Sequence, residues 1–367
     1  MSRKICFTGG GTAGHVFPGI SVIESLCSRY NYKKEDFIWI GSKSGMERKL
    51  VEEAGIEFKG ILSGKLRRYF SLQNFVDIFK ITLGIVQAFC ILFKAHPQII
   101  FSKGGYVSVP PVLAGKLLGI PVITHESDYT PGLATKINAN FSRKILLSVE
   151  ETRKYLKPKF HDKCVVVGNP VRSQFYNGDA QKGLAFLGFD TRKPLIFVVG
   201  GSQGSGEINQ LIWEIRKPLA EKYYIAHQVG ANSIIGKPDV PGYVQIPFIK
   251  EEMADVIAAS SLVVTRAGAG SLWELSAVGR AALLIPLRGS GTRGDQVKNA
   301  LYFKEQNAAA VLMEDTIKSQ DLLAEIESIV GTERGRELSV KMAQMAKKDS
   351  ADSIAYQIVT LIGKDEL

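Results

Sequence analysis

Two glycine-rich turns in this chain have the composition to hold an anionic or polar ligand on backbone amides. The first reads Phe7-Thr8-Gly9-Gly10-Gly11-Thr12-Ala13-Gly14-His15 and the second Val199-Gly200-Gly201-Ser202-Gln203-Gly204. Glycine lets a backbone approach a ligand closely, and a helix opening after such a turn offers N–H groups without internal acceptors. Gly9, Gly11 and Gly14 satisfy the G-x-G-x-x-G spacing of dinucleotide binding, which also needs an acid at the end of the second strand for the ribose hydroxyls. Here that strand ends Ile38-Trp39-Ile40-Gly41-Ser42, and Glu35 and Asp36 stand at its other end. A nicotinamide cofactor is disfavoured. Neither turn closes with Gly-Lys-Ser/Thr, so ATP hydrolysis on a P-loop is disfavoured too. His15 follows the first turn at the expected start of a helix. A lone histidine is more often structural, but helix-terminal amides disfavour imidazolium, and a neutral imidazole there suits a general base near pH 7.

The elements that must carry these turns are short apolar runs alternating with helical-period segments, the pattern of parallel α/β architecture. Strands are expected at Ile5–Thr8, Phe37–Ile40, Gln98–Ser102, Pro121–Thr124, Lys144–Leu147 and Cys164–Val167. A second series follows at Leu195–Val199, Tyr224–Gln228, Val244–Ile246, Leu262–Thr265, Ala282–Ile285 and Ala309–Leu312. Each series opens with a strand running into a glycine turn and then a helix. Two Rossmann-like domains are therefore expected, residues 1–168 and 169–349; periodicity does not give the course of the final helical segment near 350–362, which in similar folds crosses back to the first. Ligands of such sheets bind outside the carboxyl ends of the strands, which places the expected site in a cleft between the domains.

Composition agrees with two ordinary globular domains: 367 residues, 45% hydrophobic and 22% charged. The four cysteines, Cys6, Cys27, Cys90 and Cys164, form no metal or disulfide pattern and fit a reducing cytoplasm. The apolar run after Met1 is too short for a secretory signal. The net charge of +10 is lopsided: residues 1–180 hold 25 basic against 14 acidic side chains, the remainder 21 against 22. The first domain is thus expected to face something anionic. No nucleic-acid-binding motif accompanies the charge, which leaves a membrane surface or a solvated basic face. Tyr69–Phe93 is strongly apolar, with Lys65, Arg67 and Arg68 before it and Lys94 after it. Asp77 and Lys80 interrupt it, so it falls short of a membrane span and is expected either to pack on the first sheet or to lie in an interface.

Four separated stretches are more specific together than any one alone: Gly10–Gly19, Gly104-Gly105-Tyr106-Val107-Ser108, Gly168-Asn169-Pro170-Val171-Arg172 and Gly200–Gly204. His125-Glu126-Ser127-Asp128 with Pro131-Gly132-Leu133, and Arg266–Ala269 with Glu274, Gln296 and Asn299, support them. In this combination the sequence resembles the MurG family, the membrane-associated N-acetylglucosaminyltransferases of bacterial peptidoglycan synthesis, in order along nearly the whole chain. The resemblance implies a GT-B fold and inverting transfer of GlcNAc from UDP-GlcNAc to the C4 hydroxyl of the MurNAc unit of undecaprenyl-pyrophosphoryl-MurNAc-pentapeptide. This reaction belongs to cell-wall biogenesis, cell shape and cell division. His15 is implied as the catalytic base. The implied donor contacts are Thr12, Ala13, Gly14, Asp128, Arg172, Ser202, the backbone of Ile249 at the uracil edge, Ala269, Gly270, Ser271, Leu272, Trp273, Glu274 at the ribose hydroxyls, and Gln296 and Asn299 at the sugar. The implied acceptor contacts are Gly11, Gly104, Gly105, Tyr106, Glu126 and Ser127. No nucleic acid is implied as a partner. An anionic membrane at the cytoplasmic face is, with peripheral attachment, and so are other cell-wall synthesis proteins.

No Asp-x-Asp occurs in the chain. Helix dipoles and neutral donors are thus expected to hold the diphosphate, with no metal and no tightly bound cofactor. The chain departs from the family pattern at Ala13, where glycine is common, and at Ser127-Asp128, where the family often has Gln-Asn; Asp128 as carboxylate accepts hydrogen bonds but cannot donate them. The glycine-rich, basic loop Arg288–Gly294 is expected to close over bound donor. Two alternatives stand beside the resemblance: a related enzyme glycosylating another lipid such as diacylglycerol, and a noncatalytic nucleotide-sugar-binding module.

Overall fold

The computed structural model describes residues 3–64, 73–201, 203–230, 233–234, 236, 240–289, 292–314 and 316–365. The chain divides into two compact units, Met1–Val171 with Lys347–Leu367, and Arg172–Ala346. Each is a parallel sheet with helices, as the alternating apolar runs require.

The first unit runs β1 (Ile5–Thr8), α1 (Phe17–Tyr30), β2 (Phe37–Ser42), α2 (Glu47–Glu53), β3 (Glu57–Ile61), α3 (Gln73–Ala95), β4 (Ile99–Ser102), α4 (Val109–Leu117), β5 (Val122–Glu126), α5 (Leu133–Asn138), β6 (Lys144–Leu147) and β7 (Cys164–Val166). Its seven strands lie in the order β3-β2-β1-β4-β5-β6-β7, all parallel. The direction of winding reverses between β1 and β4, so the loops that follow these strands open at the switch point. Ile5, Cys6 and Phe7 on β1 and Ile99, Ile100 and Phe101 on β4 are fully buried, because helices cover both faces of a parallel sheet. The edge strand β3 escapes the sequence reading because Glu57, Lys59 and Gly60 are exposed and form no apolar run.

The second unit runs α6 (Ala180–Leu187), β8 (Leu195–Val199), α7 (Gly206–Lys222), β9 (Tyr224–Gln228), β10 (Tyr243–Ile246), α8 (Met253–Ala259), β11 (Ser260–Thr265), α9 (Ala269–Val278), β12 (Ala282–Leu284), α10 (Asp295–Glu305), β13 (Ala310–Val311), α11 (Ser319–Ile329) and α12 (Glu333–Met345). Its sheet order is β10-β9-β8-β11-β12-β13, with the switch point between β8 and β11. The last helix, α13 (Ser350–Asp365), belongs to the first unit. Ile354, Ala355 and Ile358 share one apolar core with Val22, Ile23 and Leu26 of α1. Asp352 fixes the register, accepting from Ser25 Oγ at 2.6 Å and pairing with Arg29 at 2.5 Å.

Asp77 and Lys80 do not break α3, which corrects the sequence reading that its apolar length is too short for a span. Asp77 is buried and lies 3.9 Å from Lys80. By length and composition alone, Asp77–Ala95 suffices to cross a membrane. Its two faces differ in what they touch. Ala88 and Leu92 are buried in a core with Ile61, Ile100 and Val112, whereas Ile78, Phe79, Leu83, Val86 and Phe93 are exposed, Phe79 by 71%. Lys65, Arg67, Arg68 and Tyr69–Leu72 lie outside the described residues.

Candidate active site

At the switch point of the first unit, two loops interlock through glycine. Gly104 and Gly105 have φ of 84° and 77°, a region that favours glycine. A Cβ on Gly105 would lie 2.6 Å from Gly10 O and 3.0 Å from His15 Cδ2. Only a bare backbone lets the β4 loop pack this closely on the loop that carries the imidazole. A Cβ on Gly11 would likewise lie 3.0 Å from the Tyr106 ring. Gly11, Thr12, Ala13, Gly14, His15, Gly104, Gly105 and Tyr106 therefore form one group, with Gly11, Thr12 and Gly14 exposed. His15 ends a short 3₁₀ turn, Ala13–His15, and α1 begins only at Phe17. The expectation that His15 opens the helix is thus corrected by two residues.

Glu47 holds this loop from beneath, and the sequence reading missed it. Its fully buried carboxylate accepts from Ser42 N at 2.7 Å and from Gly11 N at 3.2 Å. A Cβ on Gly10 would meet that carboxylate at 2.4 Å. Glu47→Leu strands two amides, each worth about 1–3 kcal/mol when left unsatisfied. Thermal unfolding is expected to show a clear fall in Tm for Glu47→Leu and a smaller one for Glu47→Gln, which retains one acceptor oxygen. Equal Tm for both variants and the wild type would contradict this.

At the end of β5 the expected acceptor contacts turn inward. Glu126 is buried, and its two oxygens accept from Asp128 N at 3.0 Å and Gly132 N at 2.9 Å. Burial, reinforced by the nearby Asp128 charge, raises its carboxyl above the ordinary range. Ser127 Oγ accepts from Lys103 Nζ and donates to Asn169 Oδ1 at 2.8 Å. Glu126 and Ser127 thus shape the loop that presents the half-buried Asp128, and Ser127 is itself half-buried. Lys103, unremarked in the sequence reading, is only 2% exposed. Burial pulls its pKa down to about 8, against the opposing pull of Glu126 and Asp128. Burial, with repulsion from Lys103, also drives His125 well below the ordinary histidine range, and its Nε2 lies 2.8 Å from Gly168 O.

The switch point of the second unit carries the other group. Ser202 lies outside the described residues, but its loop is fixed on both sides. A Cβ on Gly204 would lie 2.0 Å from Val229 O, and Ser205 Oγ caps α7 by accepting from Ile208 N. Gln228, at the end of β9, ties this loop to the next: it donates to Gly201 O at 3.4 Å and accepts from Ile249 N at 2.9 Å. The Ile249 N–H is therefore committed within the protein, and its carbonyl is the backbone group left for the expected uracil edge.

Helix α9 follows β11 after Gly268, so the amides of Ala269, Gly270 and Ser271 open the helix without intrahelical acceptors. Gly270, Ser271 and Glu274 are partly exposed. The side chains of Leu272 and Trp273 are buried, the indole edge-on to Phe303 at 5.6 Å, so these two residues are core and bring only backbone to a ligand. Glu274 Oε1 accepts from Arg172 Nη2 at 2.8 Å, and both side chains remain about one-fifth exposed, 22% and 23%. Burial raises the Glu274 carboxyl, and the Arg172 charge counters it. On α10, Gln296 Oε1 accepts from Leu287 N at 3.0 Å, while buried Asn299 donates to Ala267 O at 3.1 Å. Asn299 thereby supports the turn ahead of α9; Gln296 stays half-buried. In the loop expected to close over donor, Ser290 and Gly291 lie outside the described residues.

Two doubly wound parallel sheets, each with a glycine loop at its switch point, define a two-domain glycosyltransferase of GT-B architecture, and comparison with known proteins gives its family. Residues 5–147 match the glycosyltransferase family 28 N-terminal domain and residues 195–364 the family's C-terminal domain. A Treponema denticola relative named UDP-N-acetylglucosamine--N-acetylmuramyl-(pentapeptide) pyrophosphoryl-undecaprenol N-acetylglucosamine transferase is 43% identical, over 96% of this chain and 96% of its own. A Legionella pneumophila relative of the same name is 41% identical, again over 96% of each. The chain belongs to glycosyltransferase family 28 and, within it, to the MurG family. The crystal structure of Acinetobacter baumannii MurG has the same fold, with a TM-score of 0.74 at 23% identity over 97% of this chain and 99% of that one.

Proposed function

We propose that this chain transfers GlcNAc from UDP-GlcNAc to the C4 hydroxyl of the MurNAc unit of undecaprenyl-pyrophosphoryl-MurNAc-pentapeptide, with inversion. The observation that carries this reading is the similarity to transferases of that name over almost the whole chain. His15 takes the proton of the acceptor hydroxyl as its oxygen attacks the anomeric carbon. The bond from that carbon to the diphosphate breaks with its electron pair, and UDP leaves. The opening amides of α9 stabilise the charge gathered on the leaving group. Glu274 accepts from the ribose hydroxyls, steadied by Arg172. The deciding experiment supplies purified enzyme and UDP-GlcNAc with lipid-linked muramyl pentapeptide or with diacylglycerol. Disaccharide formed only on the muramyl lipid supports the reading. Turnover only on diacylglycerol replaces the acceptor, and UDP-GlcNAc binding without turnover on either replaces the enzyme with a binding module.

The same reading places the protein peripherally at the cytoplasmic face of the membrane. Ala88 and Leu92 commit one face of α3 to the protein core, so lipid cannot surround the helix, while the opposite face offers Phe79, Leu83, Val86 and Phe93 to an interface. Exposed Lys116 and Leu117 end the helix that packs beside it, α4. Phe79→Glu with Phe93→Glu is expected to lower sedimentation with anionic phospholipid vesicles severalfold at unchanged Tm. Undiminished sedimentation would remove α3 as the anchor.

A further inference from the structure

Where β8, β11 and β12 end, three loops bring two guanidinium groups onto one carboxylate. Arg266, just after β11, donates through Nη1 to Glu207 Oε2 at 2.8 Å and to the carbonyls of Ile285 at 2.9 Å and Pro286 at 3.3 Å, and through Nη2 to Ser205 Oγ at 2.6 Å. Its Nη1 is held by the protein on three oxygens and its Nη2 on Ser205. Arg288, in the loop after β12, donates through Nη2 to the other Glu207 oxygen. Its Nη1 is buried and has no acceptor among the described residues.

The electrostatics of this cluster are incomplete. Glu207 is the one carboxylate that either guanidinium reaches among the described residues, which leaves one positive charge in excess. The excess sits beside the N-terminus of α7, where Ser205 is the cap and Glu207 lies in the first turn. A helix N-terminus is already positive and disfavours a second cation. A structural network alone would place the extra charge elsewhere or match it with a second acid. An anion with oxygens spaced for a guanidinium fork, as a phosphate has, would balance this charge. Ser205 and Glu207 continue directly from the glycine turn Gly200–Gly204, and Arg266 leads into the opening amides of α9. The cluster therefore stands at the strand ends where the second unit is read to hold its nucleotide.

We propose that Arg288, steered by Glu207, is a further donor-recognition residue that takes an anionic oxygen of the nucleotide sugar's diphosphate. This rests on the donor reading given above. Arg288 binds the charge that UDP carries and uridine lacks. Glu207 holds the guanidinium in place between turnovers, and Arg266 fixes Glu207.

Isothermal titration calorimetry on the full chain with UDP, uridine and inorganic diphosphate tests this. Arg288→Met, which keeps the apolar stem, is expected to weaken UDP and diphosphate by roughly tenfold or more, the size of one charged hydrogen bond. Uridine affinity stays as in the wild type, and Arg288→Lys recovers part of the loss. Unchanged UDP affinity, or equal losses for UDP and uridine, overturns the proposal. If Arg288→Met does not fold, Arg288→Lys carries the test: weakened UDP with uridine retained supports the fork, and unchanged UDP overturns it. A wild-type chain that binds neither UDP nor uridine removes the donor reading itself. In that case diphosphate binding that depends on Arg288 still sustains an anion site, and its absence removes the site as well.

Discussion

Replacing His15 with alanine lowers kcat by about 10²–10⁴-fold, the usual contribution of a positioned general base, and leaves the Kd of UDP unchanged. The two effects separate because His15 stands on the first unit's glycine loop, whereas the nucleotide is read onto the second unit's loops and α9. His15 is placed for the role by backbone. Gly105 packs beside its ring as bare backbone, since a Cβ there would lie 2.6 Å from Gly10 O. The turn that ends at His15 is tied by its own amide, which donates to Thr12 O at 3.1 Å. A base must be deprotonated to act, so the wild-type kcat falls on the acid side of its pH profile, and the residual rate of His15→Ala loses that limb. A loss of less than tenfold, or an unchanged acid limb, would assign the proton to another group.

What was legible in the sequence was what neighbouring residues determine. A glycine turn between a strand and a helix is a local pattern, and both such turns stand at switch points, where a parallel sheet opens toward ligand. The buried strands were legible for the same reason, since each is a continuous apolar run. β3 was not, because an edge strand with one exposed face carries Glu57 and Lys59. The supports of the site were hidden for a different reason: they arrive from distant elements. Glu47 comes from α2 to hold Gly11, Gln228 from β9 to join Gly201 with Ile249, and Lys103 from the end of β4 to fix Ser127. No spacing rule connects these pairs. The same distance hides the internal partners of several expected contacts. Glu126, Ser127 and Asn299 have polar side chains in the right stretches, yet the fold turns each of them toward backbone or buried partners that only three dimensions reveal.

Glu274→Gln weakens UDP binding by about 10–100-fold at neutral pH, the range expected when hydrogen bonds to a carboxylate become hydrogen bonds to an amide. The fold should tolerate the change, because the amide oxygen still accepts from Arg172 Nη2 where Oε1 now does at 2.8 Å. Ligand affinity, not stability, is where the charge matters. The pH dependence follows from the environment of the carboxyl. Burial penalises the carboxylate and raises its pKa above the ordinary glutamate range, with Arg172 opposing. Ribose hydroxyls donate to the charged form, so protonation turns an acceptor into a competing donor and weakens binding. Since the pKa is raised, that weakening sets in at a higher pH than for an exposed glutamate near about 4.3. Calorimetric Kd values for UDP, taken as the ratio of variant to wild type, cancel the nucleotide's own phosphate ionisation and leave His15 out of the measurement. The ratio is expected to be large at neutral pH and to fall toward one as pH drops through the Glu274 pKa, where the wild type has lost the charge the variant never had. A ratio independent of pH would place the ribose contact on some other group and leave Glu274 as the partner of Arg172 alone.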